Sequence, residues 1–311
     1  MASRKTIITC AITGSSHTPT MSPHLPYSPE EIIRQSIEAH QAGAAVIHLH
    51  ARNPHDGRPT ADTGLFREYL TAIKAETRAI IGLTTGGGTG QSVEERLRPV
   101  RTLQPELCTL NLGTMNYGGF PMIPKYQGQW KFDWEEPYLE STRHEPFVSN
   151  YADIEVMLKS LAEESGVRFE FEAYDVGHLY TLAYYLELGL VKPPIFLQFV
   201  IGTMGGIGPE VDNIVHLKRT ADRLLGDEVQ WSVLGSGRHQ FNVITVGAIM
   251  GSHVRVGLED SLYLGKGQLA PSNAAQVEKI RRILTDLSIE TASSDEARQM
   301  LGLKGLENVA F

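Results

Sequence analysis

Residues 45–50 read Ala-Val-Ile-His-Leu-His, a short run of apolar and β-branched residues ending in two histidines two positions apart. Similar runs recur along the chain: TIITCAI at 6–12, AIIGLT at 79–84, ELCTLNL at 106–112, VRFEFEA at 167–173, IFLQFV at 195–200, VQWSVL at 229–234 and SHVRVG at 252–257. Each has the length and composition of a strand. Between them lie segments with apolar residues at helical spacing, among them 29–42, 151–165 and 210–224. Ser28-Pro29-Glu30-Glu31 carries a cap, a proline at the first turn and two acids, which together start a helix. Further helices are expected near 272–288 and, opening with Ser294, Asp295 and Glu296, at the C-terminal end.

Eight strands alternating with helices imply a parallel sheet, and eight is the number that closes a (β/α)8 or TIM barrel. A doubly wound sheet is the alternative. It would want GxGxxG after the first strand, where this chain has Thr13-Gly14-Ser15-Ser16. Residues 1–311 read as a single domain. One segment breaks the pattern: 114–150, between the fourth strand and its helix, is long and rich in Tyr, Trp, Phe and Pro. An insertion of this kind usually covers an active site or a subunit contact; a packed surface excursion is the alternative.

Hydrophobic residues at 41% and charged residues at 21% allow a large core and argue against disorder. The net charge of -8 makes a general nucleic-acid binder a poor reading. Cys10 and Cys108 each sit in an apolar run outside any CxxC pair, so both read as reduced core residues. No apolar stretch reaches the roughly 18 residues of a membrane span, and the first residues lack a cleavage pattern. The expected compartment is the cytoplasm.

Alternation along a strand puts His48 and His50 on one face, and they come at its C-terminal end, the active-site side of a barrel. Two neutral imidazoles there can share a zinc ion; hydrogen-bonded core histidines are the alternative. A third ligand is sought in Arg255-Val256-Gly257-Leu258-Glu259-Asp260, because the eighth strand lies two places from the second in a closed barrel. Of the two acids, one can bind metal while the other pairs with Arg255; a solvated acidic loop is the alternative. Thr84-Thr85-Gly86-Gly87-Gly88 offers backbone N–H groups and hydroxyls to an anion. Arg238, in Gly235-Ser236-Gly237-Arg238-His239, stands where barrels often hold phosphate. Thr109 and Asn111 share a face of the fourth strand. Glu170 and Glu172 share a face of the fifth, where Glu172 can orient substrate or join a buried ion pair.

Taken together, ITGSSHTPTMSPHLPYSPEEI, VIHLHAR, LTTGGG, LNLGT, FEAYDVGH, GSGRHQ and HVRVGLED resemble the β-keto acid cleavage enzymes, over about residues 6–303. The resemblance implies a zinc-dependent homo-oligomeric barrel, a tetramer. Its reaction would convert a β-keto acid and acetyl-CoA to acetoacetate and a new acyl-CoA. Carried over by position, His48, His50 and Glu259 match metal ligands, Asp260 the general base and Arg255 the arginine supporting it. Thr84 and Thr109 match substrate contacts. Aminohexanoate-cleaving members have a glutamate where this chain has Ser16, followed by His17. A neutral or weakly polar β-keto acid is therefore expected, although aromatic residues of 114–150 could instead cage a quaternary ammonium such as dehydrocarnitine. A zinc hydrolase of the amidohydrolase type is the competing enzyme reading. It would carry HxH on the first strand rather than the second. A metal-stabilised binding barrel is the non-catalytic alternative.

Overall fold

The computed structural model describes residues 5–86 and 91–311. The barrel strands are β1 Ile8–Ala11, β2 Val46–Leu49, β3 Ile80–Leu83, β4 Leu107–Asn111, β5 Arg168–Ala173, β6 Ile195–Ile201, β7 Val229–Gly235 and β8 His253–Val256. Each is parallel to its neighbours, and β1 pairs with both β2 and β8, so the sheet closes on itself. Closure rules out the doubly wound alternative. All eight lie within or close to the apolar runs of the sequence.

The principal helices are α1 Pro29–Ala42, α2 Thr63–Glu76, α3 Val93–Leu103, α4 Tyr151–Ser165, α5 Val176–Glu187, α6 Val211–Leu225, α7 Gln240–Ile249, α8 Asn273–Asp286 and α9 Ser294–Leu301. The start of α1 follows from its sequence. Ser28 accepts from Glu31 N while the Glu31 carboxylate accepts from the Ser28 backbone, a reciprocal cap behind Pro29. The main core lies between strands and helices. A second apolar cluster gathers Val46, Ile80, Leu107 and Phe196 with Ala297 and Leu301, so α9 closes the N-terminal end of the barrel. Its Arg298 forks onto buried Glu106 at 2.9 and 3.0 Å.

The departure at 114–150 contains short helical pieces at Phe120–Met122, Ile123–Tyr126 and Glu135–Ser141. Its ends are tied by a bridge between Met115 and Phe147. Leu139, Met122, Ile123 and Trp130 pack with Met21, Leu25, Leu258 and Leu262, over the loops that follow β1 and β8. Fully buried Glu135 accepts from Thr20 N and Oγ1 at 3.0 and 2.8 Å, which nails the insertion to the first loop. These contacts set the segment over the loops at the C-terminal end of the barrel.

Candidate active site

His48 lies in β2 and His50 one residue beyond its end, and both rings face the same side with centroids 5.2 Å apart. The third group arrives from the loop after β8. Gly257 (φ +147°) turns the chain so tightly that a Cβ there would lie 1.9 Å from Ala11 O. Gly14 (φ +61°) leaves the space the Glu259 side chain fills, since a Cβ there would lie 2.4 Å from Glu259 Cγ. Glu259 is thereby brought to His48 Nε2 at 3.7 Å and His50 Nε2 at 3.5 Å. We expect Gly257→Ala to cost about 2–4 kcal/mol, because strain at positive φ and a backbone clash act together. Calorimetry should show a clearly lowered Tm; a value within about 2 °C of the parent would contradict this reading of the turn.

One donor atom from each of His48, His50 and Glu259 lies within 4.8 Å of the others. Buried Glu259 Oε2 has no hydrogen-bond partner among the described residues, which is costly for a carboxylate oxygen unless a cation takes it. Burial opposes the charge of Glu259, but His50, Arg255 and His48 outweigh it and hold the carboxyl well below the usual range. Burial also keeps His48 neutral, the form that donates a lone pair. The donor set and the orphaned oxygen fit a metal ion.

Arg255, buried in β8, organises the acids around it. Its Nε and Nη2 grip both oxygens of Asp260 at 3.0 and 2.9 Å, Nη2 reaches Glu259 at 2.7 Å and Nη1 reaches Glu172 at 3.3 Å. Asp260 does pair with Arg255, as one option for the adjacent acids required, yet Glu259 shares the same guanidinium. Burial raises the carboxyl of Asp260 above its usual range in spite of Arg255. Burial likewise lifts Glu172 to about 7 and Glu170 to about 8. Glu172 also accepts from Tyr174 at 3.3 Å.

These groups open into a cleft of about 900 Å³ at the mouth, lined also by Ser16, His17, Thr84, Gly86, Thr109, Asn111 and Arg238. Thr84 Oγ1 accepts from Gly86 N at 2.9 Å. Thr85 differs from the substrate-contact expectation: its hydroxyl is turned to the strand and donates to Thr109 O at 2.7 Å. Gly87 lies outside the described residues. Arg238 is exposed on the rim, its Nε donating to His239 Nε2 at 3.0 Å. Burial lowers His17 to about 4, and its Nδ1 lies 3.0 Å from Leu258 O, so the neutral ring ties the first loop to the eighth.

Other functional positions escaped the sequence. Arg52, fully buried, donates to Thr13 Oγ1 and O, Gly57 O and His17 O, and so shapes the loop carrying Ser16. It belongs to the VIHLHAR stretch, which was the available signal. Asn273 accepts from Leu258 N at 2.9 Å and donates to Ile12 O at 3.0 Å, bracing the turn before Glu259. Tyr117 and Tyr138 of the insertion and Thr203 after β6 also line the cleft.

The geometry therefore describes a barrel enzyme with a metal-competent centre and an arginine-held acid beside it. Residues 5–303 match the model of the β-keto acid cleavage enzymes, and the chain belongs to that family. It is 50% identical over 308 residues to the 3,5-dioxohexanoate:acetyl-CoA acetone transferase of Paraburkholderia graminis, covering 99% of each chain. It is 36% identical over 301 residues to the 3-keto-5-aminohexanoate cleavage enzyme of Fusobacterium nucleatum, covering 96% of this chain and 98% of the relative. Among solved structures, apo ObcA superposes with a TM-score of 0.72 at 18% identity, over 91% of this chain and 66% of that one; this likeness concerns the fold.

Proposed function

We propose that the chain transfers the acyl part of a β-keto acid to CoA: with acetyl-CoA as second substrate, it forms acetoacetate and a new acyl-CoA. The observation that carries this reading is Asp260, an acid held by both oxygens on Arg255 next to the His48, His50 and Glu259 cluster. Those three residues would hold zinc, since two imidazoles and a carboxylate with a free position are the donor set of catalytic zinc. Bound there, the ion supplies Lewis acidity to a ketone oxygen. Asp260 takes the proton from the carbon between ketone and carboxylate. Arg255 fixes the orientation of Asp260, and Glu172 balances Arg255 from the far side. Thr84, Gly86, Thr109 and Asn111 receive the substrate carboxylate on the β3–β4 side of the cleft. Exposed Arg238 meets phosphates of CoA at the rim.

The carbanion attacks the acetyl-CoA thioester and CoA thiolate leaves. The thiolate then adds to the original ketone. The bond to the central carbon breaks, giving the new acyl-CoA, and the proton held by Asp260 returns to acetoacetate. Every bond formed has its counterpart broken, with no oxidant and no covalent enzyme intermediate.

Ser16 sets an uncharged oxygen at the acyl end, which favours a neutral β-keto acid; 3,5-dioxohexanoate, from the name of the 50% identical relative, is the first candidate. The enzyme works as a homo-oligomer on this reading, a tetramer. The exposed stripe of Tyr180 and Tyr184 on α5 and Leu188 just past its end supports a subunit contact. The test is a panel of β-keto acids incubated with acetyl-CoA and scored for acetoacetate by mass spectrometry. We expect neutral acids to exceed 3-keto-5-aminohexanoate and dehydrocarnitine in kcat/KM, with Ser16→Glu shifting the order by about tenfold toward the ammonium substrate. Turnover that proceeds without CoA would replace this reading with a hydrolase.

A further inference from the structure

The buried arginines among the described residues are Arg52, Arg96, Arg255 and Arg298. Three of them are well matched. Arg52 has four oxygen acceptors within 2.9 Å. Arg255 is paired with Glu172, Glu259 and Asp260, and Arg298 with Glu106 and Asp295. Arg96, on α3, is different. It is 6% exposed, yet among the described residues it donates only to two main-chain oxygens, Gly86 O and Val148 O, both at 3.3 Å. Its Nε is buried with no hydrogen-bond partner among those residues. Asp153 favours its charge without bonding to it. A buried cation so poorly matched costs stability, and such a cost is retained where a ligand supplies the counter-charge.

Arg96 lines the same cleft as the His48, His50 and Glu259 cluster. It braces the β3–β4 side of that cleft from behind. Through Gly86 O it holds the turn after β3, and through Val148 O the end of the insertion. Its guanidinium lies 5.4 Å from the centre of the Phe147 ring, and an edge atom of that ring would lie 4.0 Å from a Cβ on Gly86. Two residues on, Ser149 Oγ donates to Asn111 O at 2.7 Å. Gly86 is central to this arrangement: a Cβ there would lie 3.3 Å from Thr84 Oγ1 and 3.7 Å from Asn111 Oδ1. Its N–H donates to Thr84 Oγ1, which leaves the hydroxyl proton of Thr84 for another acceptor. Thr84, Gly86, Thr109 and Asn111 are all neutral, so none of them offsets the charge of a bound carboxylate. The cation bonded to this group is Arg96, one hydrogen bond behind Gly86.

We propose that Arg96 is a positioning residue for the substrate carboxylate: acting through the Gly86 turn, it holds the neutral carboxylate subsite in place and supplies the positive charge that subsite lacks. The proposal rests on the reaction assigned above and deepens it. Arg96 acts without touching the substrate. Its charge works across a buried wall of low dielectric, where an interaction stays strong at separations that water would screen. The carboxylate is a bystander to the bonds that change: it is present in the β-keto acid, in the carbanion and in acetoacetate. Arg96 therefore stabilises substrate, intermediate and product alike. Uniform binding of this kind lowers KM without raising kcat.

The experiment uses the β-keto acid of the panel above that the parent turns over best. It measures kcat, the KM of that acid, the KM of acetyl-CoA and the inhibition constant of acetoacetate, on the parent, Arg96→Met and Arg96→Lys, with a Tm for each. In Arg96→Met the KM of the β-keto acid and the inhibition constant of acetoacetate should rise by the same factor, about tenfold. The KM of acetyl-CoA and kcat should stay within about twofold of the parent. Arg96→Lys keeps the charge but not the planar fork, and should recover most of the affinity for both acids. The Tm of Arg96→Met should not fall, because an apolar side chain of similar length removes an unmatched buried charge. A folded Arg96→Met with the parent's KM for the β-keto acid overturns the inference. So does a variant of lowered Tm in which kcat and both KM values worsen together and lysine recovers nothing; Arg96 is then a structural brace. Either result leaves the reaction assignment standing. A parent that forms acetoacetate from no β-keto acid overturns the reaction, and the carboxylate role of Arg96 with it.

Discussion

Asp260→Asn should leave bound metal unchanged and lower kcat by about 10²–10⁴-fold, the usual worth of a positioned general base. The amide is nearly isosteric with the carboxylate, and its oxygen can still accept from Arg255. It cannot take a proton from carbon. The substitution also spares the electrostatics of the site better than removing the arginine would. Arg255 keeps Glu259 at 2.7 Å and Glu172 at 3.3 Å, so its buried charge remains paired. Arg255→Ala, in contrast, strips Glu172, Glu259 and Asp260 of one shared cation and would confuse catalysis with folding. His48, His50 and Glu259 are untouched in Asp260→Asn, so elemental analysis should return the parent's metal content. Single-turnover acetoacetate formation is the measurement. A loss smaller than about tenfold, roughly 1.4 kcal/mol of barrier, would remove Asp260 from the role of base.

The barrel was legible because each strand is buried in a parallel sheet and so appears as a short apolar run. Helix starts were legible where the first turn is chemically marked, as at Ser28 with its proline and two acids and at Ser294 with Asp295 and Glu296; that Ser293 is the capping residue of the latter came only from the structure. The site was legible to the extent that it follows strand alternation. His48 and His50 share a face for that reason, and so do Glu170 and Glu172. Alternation does not report height within the barrel. Both glutamates are buried, and only geometry shows that Glu172 is the one bonded to Arg255. Alternation also ends with the strand, which is why Thr85, just past β3, turns its hydroxyl to Thr109 O although its neighbour Thr84 lines the cleft. Arg52 was hidden because a lone arginine usually snorkels to water; this one finds four oxygen acceptors inside instead. Tyr117 sits in a segment with no period to read, and its place in the cleft depends on how the insertion folds back over the first loop.

His48→Ala/His50→Ala should abolish metal retention and lower turnover by about 10³-fold or more, since Lewis-acid stabilisation of the developing charge amounts to several kcal/mol. The parent should carry close to one equivalent per chain, and zinc should be the element found. Dialysis against a chelator should remove the ion and the activity together, and added zinc should restore both. The double variant tests the centre more cleanly than Glu259→Ala. Glu259 is bonded to Arg255 as well as facing the histidines, so its removal disturbs the arrangement of Asp260. The histidines do not hold Arg255, and His48 Nδ1 is buried without a hydrogen-bond partner among the described residues. Truncating them leaves Glu259 paired with Arg255, and the barrel should still fold, at a lower Tm because buried side-chain volume is lost from β2. A folded double variant that retains the parent's full metal content would show that the ion binds elsewhere. The His48, His50 and Glu259 cluster would then be a hydrogen-bonded group of buried polar residues, and the proton-transfer role of Asp260 would need another source of stabilisation for the carbanion.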